Sequence, residues 1–198
     1  MTFETRERLS SQQAERRVNR IFISLGSNIE KEKNMPLAVQ MLGEICRIVA
    51  VSNVYETVPV GLLDQPNFFN AAVLIETDLC PVELKAEVLS ILEERLGRLR
   101  TSDKNAPRTV DADMVLCNDE VFEYVHDDGR RRHVPDPDLL RFPHVAVPIS
   151  ELDPDMRHPE THELLTDLAQ RLKAEAVQKL GCIPLWKRTD IQLVQPAH

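Results

Sequence analysis

Two aspartates stand two positions apart, just after an arginine, in the segment APRTVDADMVL at residues 106–116. If this segment is a β-strand, Asp111 and Asp113 point to the same face, because successive strand side chains alternate between faces. Two neighbouring carboxylates repel each other unless a cation or water compensates their charge. We therefore expect this strand to bind a cation and to belong to a functional site.

Basic side chains precede the aspartates in a chain that is acidic overall. They are Arg95, Arg98, Arg100, Lys104 and Arg108. Guanidinium groups match phosphate geometry in pairs of hydrogen bonds, and Mg²⁺ is commonly held by one or two carboxylates together with substrate phosphates. The combination predicts a site for a magnesium–nucleotide polyphosphate. Each feature alone is also common on ordinary surfaces, and no Walker loop or kinase glycine-rich loop identifies the reaction.

A second stretch, DQPNFFNAAV, supplies an aromatic ring and an amide. In a strand, Phe68 and Asn70 share one face and Phe69 takes the other. A ring beside an amide can hold a flat heterocycle by stacking and hydrogen bonds, although a core phenylalanine with a satisfied asparagine is the commoner arrangement. The tetrapeptide LGSN at residues 25–28 is typical of a turn with a helix cap.

Composition limits the classes of protein to which the chain can belong. Its 198 residues suffice for one domain with a substantial core. The formal net charge of −8 argues against a broad nucleic-acid or anionic-membrane surface. Cysteines occur at four separated positions without a CxxC pair, so reduced thiols are expected. The first residues have no apolar run typical of a signal peptide and no later stretch has membrane-spanning length, so a cytoplasmic location is expected.

The pattern of apolar residues predicts the order βαββαβ, followed by a hairpin and a last helix. The predicted elements are a strand at 21–25, a helix at 35–45, strands at 46–58 and 67–78, a helix from 81, the aspartate strand, a hairpin turning at Asp128 and Gly129, a helix at 163–180 and a strand-like tail at 183–186. This order indicates an α+β, ferredoxin-like core with an antiparallel sheet in a three-layer αβα arrangement. Residues 1–19 are expected to be a polar extension, 20–174 the domain, and 175–198 a C-terminal extension packed on or following it.

Three segments together resemble one known family. FISLGSNI, YETVPVGLLDQPNFFNAAV and LGRLR…APRTVDADMVL are similar, in order and spacing, to 6-hydroxymethyl-7,8-dihydropterin pyrophosphokinases, also called 2-amino-4-hydroxy-6-hydroxymethyldihydropteridine diphosphokinases, of folate biosynthesis. The resemblance runs from about residue 21 to about residue 155, and the combination of PRTxDxD with DQPxFxN is highly specific. It implies transfer of the pyrophosphoryl group of ATP to the hydroxymethyl oxygen of the pterin, with release of AMP and with two Mg²⁺ ions.

The resemblance also implies roles for individual residues. The catalytic positions would be Arg98, Arg108, Asp111 and Asp113, of which the two aspartates hold the metal. ATP would be contacted by Glu93, Arg100, Lys104, Arg108, Met114 and Arg131. The pterin pocket would be formed by Thr57, Val58, Val60, Phe68, Asn70 and His144. Loops at 60–66 and 101–107 would close over the substrates.

Some positions depart from the family pattern. Asn105 and Ala106 stand where a tryptophan and a glycine are usual, Asp136 replaces a histidine, Phe142 stands at an expected arginine, and His144 stands at the aromatic that stacks on the pterin. These departures leave open a degenerate member that binds pterin or nucleotide without efficient turnover. An RNA-binding module is disfavoured by the net acidity and by the lack of an aromatic RNP stripe. The expected partners are small-molecule substrates, with no nucleic acid or membrane, and a monomer is expected, with a homodimer left open.

Overall fold

The structure, a computed structural model, describes residues 17–59, 64–99, 106–126, 129–181 and 185–193. The strands in these ranges are β1 Asn19–Ser27, β2 Arg47–Val51, β3 Val54–Thr57, β4 Phe68–Thr77, β5 Asp111–Cys117, β6 Phe122–Val125, β7 Arg131–Val134 and β8 Trp186–Arg188. The helices are α1 Lys31–Ile45, α2 formed by the consecutive segments Pro81–Glu83, Leu84–Leu89 and Ser90–Arg95, α3 Pro143–Leu152 and α4 Leu165–Leu180. A 3₁₀ turn, Pro137–Leu140, precedes α3.

The main sheet has the strand order β5-β1-β4-β3-β8, and β2 also pairs with β4. Every pairing in it is antiparallel. This is the order that a βαββαβ chain gives, so the predicted α+β, ferredoxin-like fold is confirmed. Two details of the predicted core differ: the first helix begins at Lys31 instead of residue 35, and residues 46–58 form two strands instead of one. Between them, the Ser52 backbone N–H donates to the Ala72 carbonyl at 2.9 Å, and the Ser52 hydroxyl accepts from the Ala72 N–H at 2.8 Å.

Two apolar cores lie on opposite faces of this sheet. One contains α1 and α2 and the strand side chains Ile21, Ile23, Leu25, Phe69, Ala71, Val73, Ala112 and Met114. The other contains α3 and α4 and the side chains Phe22, Ala72, Leu74, Val115 and Leu116. Burying one large apolar side chain contributes roughly 1.5–3 kcal/mol, so each face binds its helices strongly. The three-layer αβα arrangement is therefore confirmed.

The strand β5 lies at one edge of the main sheet, with β1 as its neighbour. Ala112 and Met114 are buried in the core with α1 and α2, while Asp111 and Asp113 are only partly buried. The alternation expected for the aspartate strand is therefore present. It places both carboxylates on the sheet face that also carries Val115.

The C-terminal strand is held to the sheet by charge. In β8, Arg188 Nη1 lies 2.5 Å from Glu56 Oε2, and Lys31 Nζ lies 2.9 Å from Glu56 Oε1. Both cations also lie over the Phe69 ring, 4.8 and 4.3 Å from its centroid. The strand predicted at 183–186 is thus found slightly later, at Trp186–Arg188, and residues 183 and 184 lie outside the described ranges.

The remaining predicted elements occur in the predicted order, whereas the helix α3 and the 3₁₀ turn before it lie between the hairpin and the last helix, where the sequence analysis predicts no element. The strands β6 and β7 form the expected antiparallel hairpin. Gly129 has a φ of 74°, a left-handed conformation that glycine adopts without steric cost. Cys46 and Cys117 are buried and Cys80 is exposed, all three as free thiols. Among the described residues, no helix has the length and apolar character needed to cross a membrane.

Candidate active site

A cavity of about 560 Å³ opens where β1, β3, β4 and β5 face α3 and the 3₁₀ turn. The strands contribute Ser24, Leu25, Gly26, Thr57, Phe68, Asn70, Asp111, Asp113 and Val115 to its lining. The connecting segments and α3 contribute Val58, Arg108, Asp136, Asp138, Arg141, Phe142, His144 and Val145. The cavity thus brings together the predicted aspartates, one predicted arginine and five of the six predicted pterin residues.

Strand register explains this meeting of distant residues. Gly26 in β1 is directly opposite Asn70 in β4 and directly opposite Asp111 in β5. A Cβ atom at Gly26 would lie 3.7 Å from Asn70 Oδ1 and 4.0 Å from the Asp111 Cβ. Since glycine has no side chain, nothing from β1 separates the amide from the carboxylate. The cavity therefore runs without interruption from Phe68 and Asn70 to the aspartates.

The ring and amide of the DQPNFFN segment lie on the cavity as the sequence predicts. Phe68 and Asn70 line it, while Phe69 is fully buried in the core beneath α1. Asn70 Nδ2 donates to Thr57 Oγ1 at 2.9 Å, which fixes the orientation of the amide. The Arg108 guanidinium lies 5.9 Å from the centroid of the Phe68 ring. An aromatic face, an oriented amide and a cation thus occur together.

The opposite wall carries His144, whose ring stacks on Phe142 with centroids 5.2 Å apart. Burial lowers the pKa of His144 to about 4, so its imidazole is neutral at physiological pH. A neutral imidazole stacked on a phenyl ring is a planar surface suited to a heterocycle. Arg141 also lines the cavity, so a cation is present next to Phe142, at one of the departures from the family pattern.

On the aspartate side, three carboxylates converge. Oxygens of Glu93, Asp111 and Asp113 lie within 4.8 Å of one another, a donor set of the oxygen type that Mg²⁺ prefers. Arg98 Nη1 lies 2.5 Å from both Glu93 Oε1 and Asp111 Oδ1. Arg108 Nη1 pairs with Asp111 Oδ2. The sequence predicts a cation that compensates the carboxylates. In the structure, the guanidinium groups of Arg98 and Arg108 provide this positive charge.

A lysine that the sequence analysis missed completes the cluster. Lys85 Nζ lies 2.9 Å from Asp113 Oδ1. Burial alone would raise the pKa of Asp113, but the charge and hydrogen bond of Lys85, together with the Arg98 charge, outweigh it and hold that pKa well below its usual range. Burial and then the Asp113 charge raise the pKa of Asp111, against the two arginines. Burial acts to lower the pKa of Lys85, yet the charges of Asp113 and Glu93 raise it overall, so the lysine stays charged.

The LGSN segment is not the helix cap that its sequence suggests. The helix α1 begins at Lys31, and its N-cap is Glu30, which makes no side-chain capping bond. Asn28, only 3% exposed, instead accepts from the Arg108 N–H at 2.8 Å. Its Nδ2 donates to Gln65 Oε1 at 2.9 Å and to the Pro66 carbonyl at 3.2 Å. Asn28 therefore ties the end of β1 to both segments that carry predicted substrate residues.

We expect Asn28→Ala to lower kcat/KM by about 10- to 100-fold, the range seen when residues that orient a site are removed. The change also removes the Asn28 oxygen that accepts from the Arg108 N–H, so the free energy of unfolding should fall by about 1–3 kcal/mol. Steady-state kinetics and urea unfolding measure the two effects. Asn53→Ala, at a surface asparagine bonded to Glu151, serves as the matched control. If Asn28→Ala had the same kinetics as wild type, the Asn28 hydrogen bonds would not be needed to position the two segments for activity.

Several predicted ATP residues lie away from the cavity or outside the described ranges. Met114, 3% exposed, is buried in the core with α1 and α2, which leaves only its backbone for a contact with nucleotide. Arg131 is exposed on β7 and pairs with Glu123 at 3.0 Å, and it is not among the residues that line the cavity. Val60, Arg100, Lys104 and Asn105 lie outside the described residues. Their nucleotide and pterin contacts stay predictions.

Asp136, which replaces an expected histidine, has a structural contact of its own. Its Oδ1 accepts from the Asp138 N–H at 2.8 Å and so caps the 3₁₀ turn. Burial, with a smaller contribution from the Asp113 charge, raises the pKa of Asp136 to about 6. This carboxyl on the cavity wall is therefore charged at neutral pH and protonated under mildly acidic conditions.

Fold and cavity together define a class: a ferredoxin-like α+β protein whose sheet carries an aromatic–amide surface beside a cluster of carboxylates and arginines. The family model described as 7,8-dihydro-6-hydroxymethylpterin-pyrophosphokinase (HPPK) matches residues 22–154. The chain belongs to this family.

Curated relatives agree with this assignment. The 2-amino-4-hydroxy-6-hydroxymethyldihydropteridine pyrophosphokinase of Pseudomonas aeruginosa is 30% identical over 166 residues, 82% of this chain and 98% of that protein. The protein of the same name from Bacillus subtilis is 38% identical over 137 residues, 68% of this chain and 78% of that one. The folic acid synthesis protein fol1 of Schizosaccharomyces pombe is 33% identical over 168 residues, 79% of this chain but only 21% of that longer protein.

Solved structures support the fold. A Plasmodium falciparum HPPK-DHPS structure superposes with a TM-score of 0.71 at 12% identity, covering 88% of this chain and 50% of the other. At this identity the likeness bears on the fold alone. The chain spans about half of that structure and about a fifth of fol1, whereas it spans nearly all of the Pseudomonas protein.

Proposed function

We propose that the chain transfers the pyrophosphoryl group of ATP to the hydroxymethyl group of 6-hydroxymethyl-7,8-dihydropterin and releases AMP, a step of folate biosynthesis. Family membership supports the reaction, and one structural observation carries its assignment to this chain. The cavity joins the Phe68–Asn70 surface to the Asp111–Asp113 pair, and Gly26 is the β1 residue between Asn70 and Asp111. An acceptor held at one end would thus face a nucleotide held at the other.

The residues of the cavity fit an in-line displacement. The pterin hydroxyl oxygen forms a bond to the β-phosphorus, the bond to the α,β-bridging oxygen breaks, and AMP leaves while the hydroxyl proton passes to solvent. Such a reaction needs positioning and charge neutralisation more than covalent help. Arg98 and Arg108 both pair with Asp111, and from there their guanidinium groups would neutralise phosphate charge. Bound Mg²⁺, held by Asp111 and Asp113, would polarise the phosphate oxygens.

Further details of the site belong to the same proposal. We infer that two Mg²⁺ ions take part, and that Glu93, Arg98, Arg100, Lys104, Arg108, Met114 and Arg131 contact ATP or its phosphates. The pterin is assigned to Thr57, Val58, Val60, Phe68, Asn70 and His144. The loops at 60–66 and 101–107 would close over both substrates. The chain is expected to act as a monomer in the cytoplasm, with small molecules as its substrates.

The test is an assay of the full chain with Mg-ATP and 6-hydroxymethyl-7,8-dihydropterin, followed by separation of the nucleotides. We expect AMP and pterin diphosphate in equal amounts. The matched control is 6-methyl-7,8-dihydropterin, which lacks the attacking hydroxyl and should give no AMP. Saturable pterin binding without AMP would refute the enzyme and favour the degenerate alternative instead.

The charge of Asp136 on the cavity wall should make the KM for ATP depend on pH. We expect Asp136→Asn to lower the KM for ATP about two- to fivefold at pH 8, as for a screened interaction of 0.5–1 kcal/mol. The effect should shrink toward pH 5, because the wild-type carboxyl, with its pKa raised to about 6, is then protonated too. Asp113, Asp138 and Arg132 are the other charged groups around it. KM measured from pH 5 to 8 checks this.

The raised pKa of Asp136 should also be visible in how the free energy of unfolding depends on pH. A carboxyl whose folded pKa is raised favours the folded state at low pH and loses that contribution as pH rises through about 6. Asp136→Asn should therefore gain stability relative to wild type between pH 5 and pH 7. The amide can still accept from the Asp138 N–H. Asp167→Asn, which removes one charge from the exposed start of α4, is the control, and the same pH trend in both variants would contradict the assignment.

A further inference from the structure

A buried lysine lies behind the carboxylate cluster without lining the cavity. Lys85 is 4% exposed. Its Nζ donates to the Ala112 carbonyl at 2.6 Å and to Asp113 Oδ1 at 2.9 Å, and lies 3.6 Å from Glu93 Oε1. Lysine is almost never buried unless its charge is paired. These contacts provide that pairing, and they place a permanent positive charge against one of the aspartates.

The local fold explains how a helix residue reaches this place. Lys85 belongs to the π-helical segment Leu84–Leu89 in α2, a type of segment that redirects side chains and is frequent at functional sites. The strand β5 lies at the edge of the main sheet, so backbone groups on its outer side are open to side chains of a neighbouring helix. Glu93 Oε1 accepts from the Ala112 N–H at 3.0 Å, and Lys85 donates to the Ala112 carbonyl. Through these two contacts, α2 bonds the outer backbone groups of the edge strand between the two aspartates, which we call the edge-closing role.

Within the part of the chain that the structure describes, the cluster pairs three carboxylates with three cations. Glu93, Asp111 and Asp113 face Lys85, Arg98 and Arg108. The arginines end in broad forks that can bind phosphate, and Arg108 lines the cavity. Lys85 is instead enclosed, so its charge remains in place when substrates enter. A neutral cluster attracts a free divalent cation weakly, whereas a cation that arrives with a polyphosphate brings its own ligands.

We propose that Lys85 is a positioning residue that orients Asp113 and keeps the affinity of the carboxylate cluster for a free divalent cation low, so that the metal binds together with the nucleotide polyphosphate. This proposal rests on the proposed function, since it deepens the metal role of the aspartates. It differs from an edge-closing role alone, because such a role predicts changes in stability and none in metal affinity.

Mn²⁺ titration of the full chain without nucleotide, followed by electron paramagnetic resonance, separates the two roles. Lys85→Gln keeps a hydrogen-bond donor but removes the charge, and we expect it to bind Mn²⁺ at least about tenfold more tightly than wild type, through loss of Coulomb repulsion. Lys85→Met, which also removes the donor, is expected to bind tightly as well. Lys85→Arg keeps the charge and should bind as weakly as wild type.

Equal Mn²⁺ affinity in wild type and in the folded neutral variants would overturn the proposal, as would the absence of Mn²⁺ binding in those variants. Two neutral variants are used so that misfolding of one, detected by circular dichroism, leaves the other to decide. The readout involves no turnover. A wild type that forms no AMP would therefore count against the proposed function and leave the comparison of affinities intact.

Discussion

Arg108→Ala is expected to lower kcat for AMP formation by about 10³-fold, the lower end of the effect of an arginine that stabilises transferred phosphate. Arg108 is the one predicted phosphate arginine found on the cavity wall among the described residues. Its guanidinium lies between the two halves of the site, paired with Asp111 and 5.9 Å from the Phe68 ring. Charge that develops on the phosphoryl oxygens would form beside it. Single-turnover measurements with saturating ATP and pterin report this loss.

The conservative variant and a neighbour provide the controls. Arg108→Lys keeps the charge but not the fork, so we expect it to recover only part of kcat. Arg141→Ala removes an exposed arginine from the wall of the same cavity and should change kcat severalfold at most. If Arg108→Ala retained kcat within a factor of ten, Arg108 would have no role in the chemical step.

Asp111→Asn should also remove about 10³-fold in kcat, the upper end of what the loss of one preorganised electrostatic contact costs. The amide keeps an oxygen but loses the negative charge with which a carboxylate attracts Mg²⁺. The fold should survive, because Arg98 keeps its ion pair with Glu93 and one of two like charges is removed. Activity across a Mg²⁺ titration and thermal unfolding test the two statements.

Asp138→Asn is the matched control, since Asp138 is an exposed carboxylate on the wall of the same cavity. We expect its kcat to change severalfold at most. If Asp111→Asn unfolded, the carboxylate would be a structural partner of the two arginines. If high Mg²⁺ concentrations restored full kcat, Asp111 would not be needed at the metal.

The fold could be predicted because its signals are local and periodic. Alternation alone separates Phe68 and Asn70 from Phe69, and the aspartates from Ala112 and Met114. The order of strands and helices then determines the sheet. The break between β2 and β3 could not be predicted in this way, because it depends on Ser52 bonding to Ala72, a contact between residues 20 positions apart.

The site was predicted in part. Family motifs point to the aspartates, but Lys85 is 28 residues from Asp113 and lies in a helix where only apolar spacing was informative. Asn28 was interpreted as a helix cap because its short-range pattern is that of a cap, whereas its main contact is with Arg108, 80 residues away. Side chains that act across the sheet leave no periodic signal in the sequence, so only the packed structure identifies them.

The departures from the family pattern also become interpretable. Phe142 and His144 form a stacked pair on the cavity wall, and the carboxylate of Asp136 is turned to its own backbone cap. Phe142 and His144 therefore still offer a planar surface to the cavity, and the Asp136 carboxylate is already hydrogen-bonded. They are consistent with an active enzyme, and the KM measurements proposed for Asp136→Asn test whether its nucleotide affinity depends on pH.

The central claim is tested most directly by following the attacking oxygen. The pterin is labelled with ¹⁸O in its hydroxymethyl group, converted with Mg-ATP by the full chain, and the products are examined by ³¹P nuclear magnetic resonance. We expect AMP without label and a pterin diphosphate that carries ¹⁸O between carbon and phosphorus. Release of the label to water, or ADP and a pterin monophosphate as products, would contradict it.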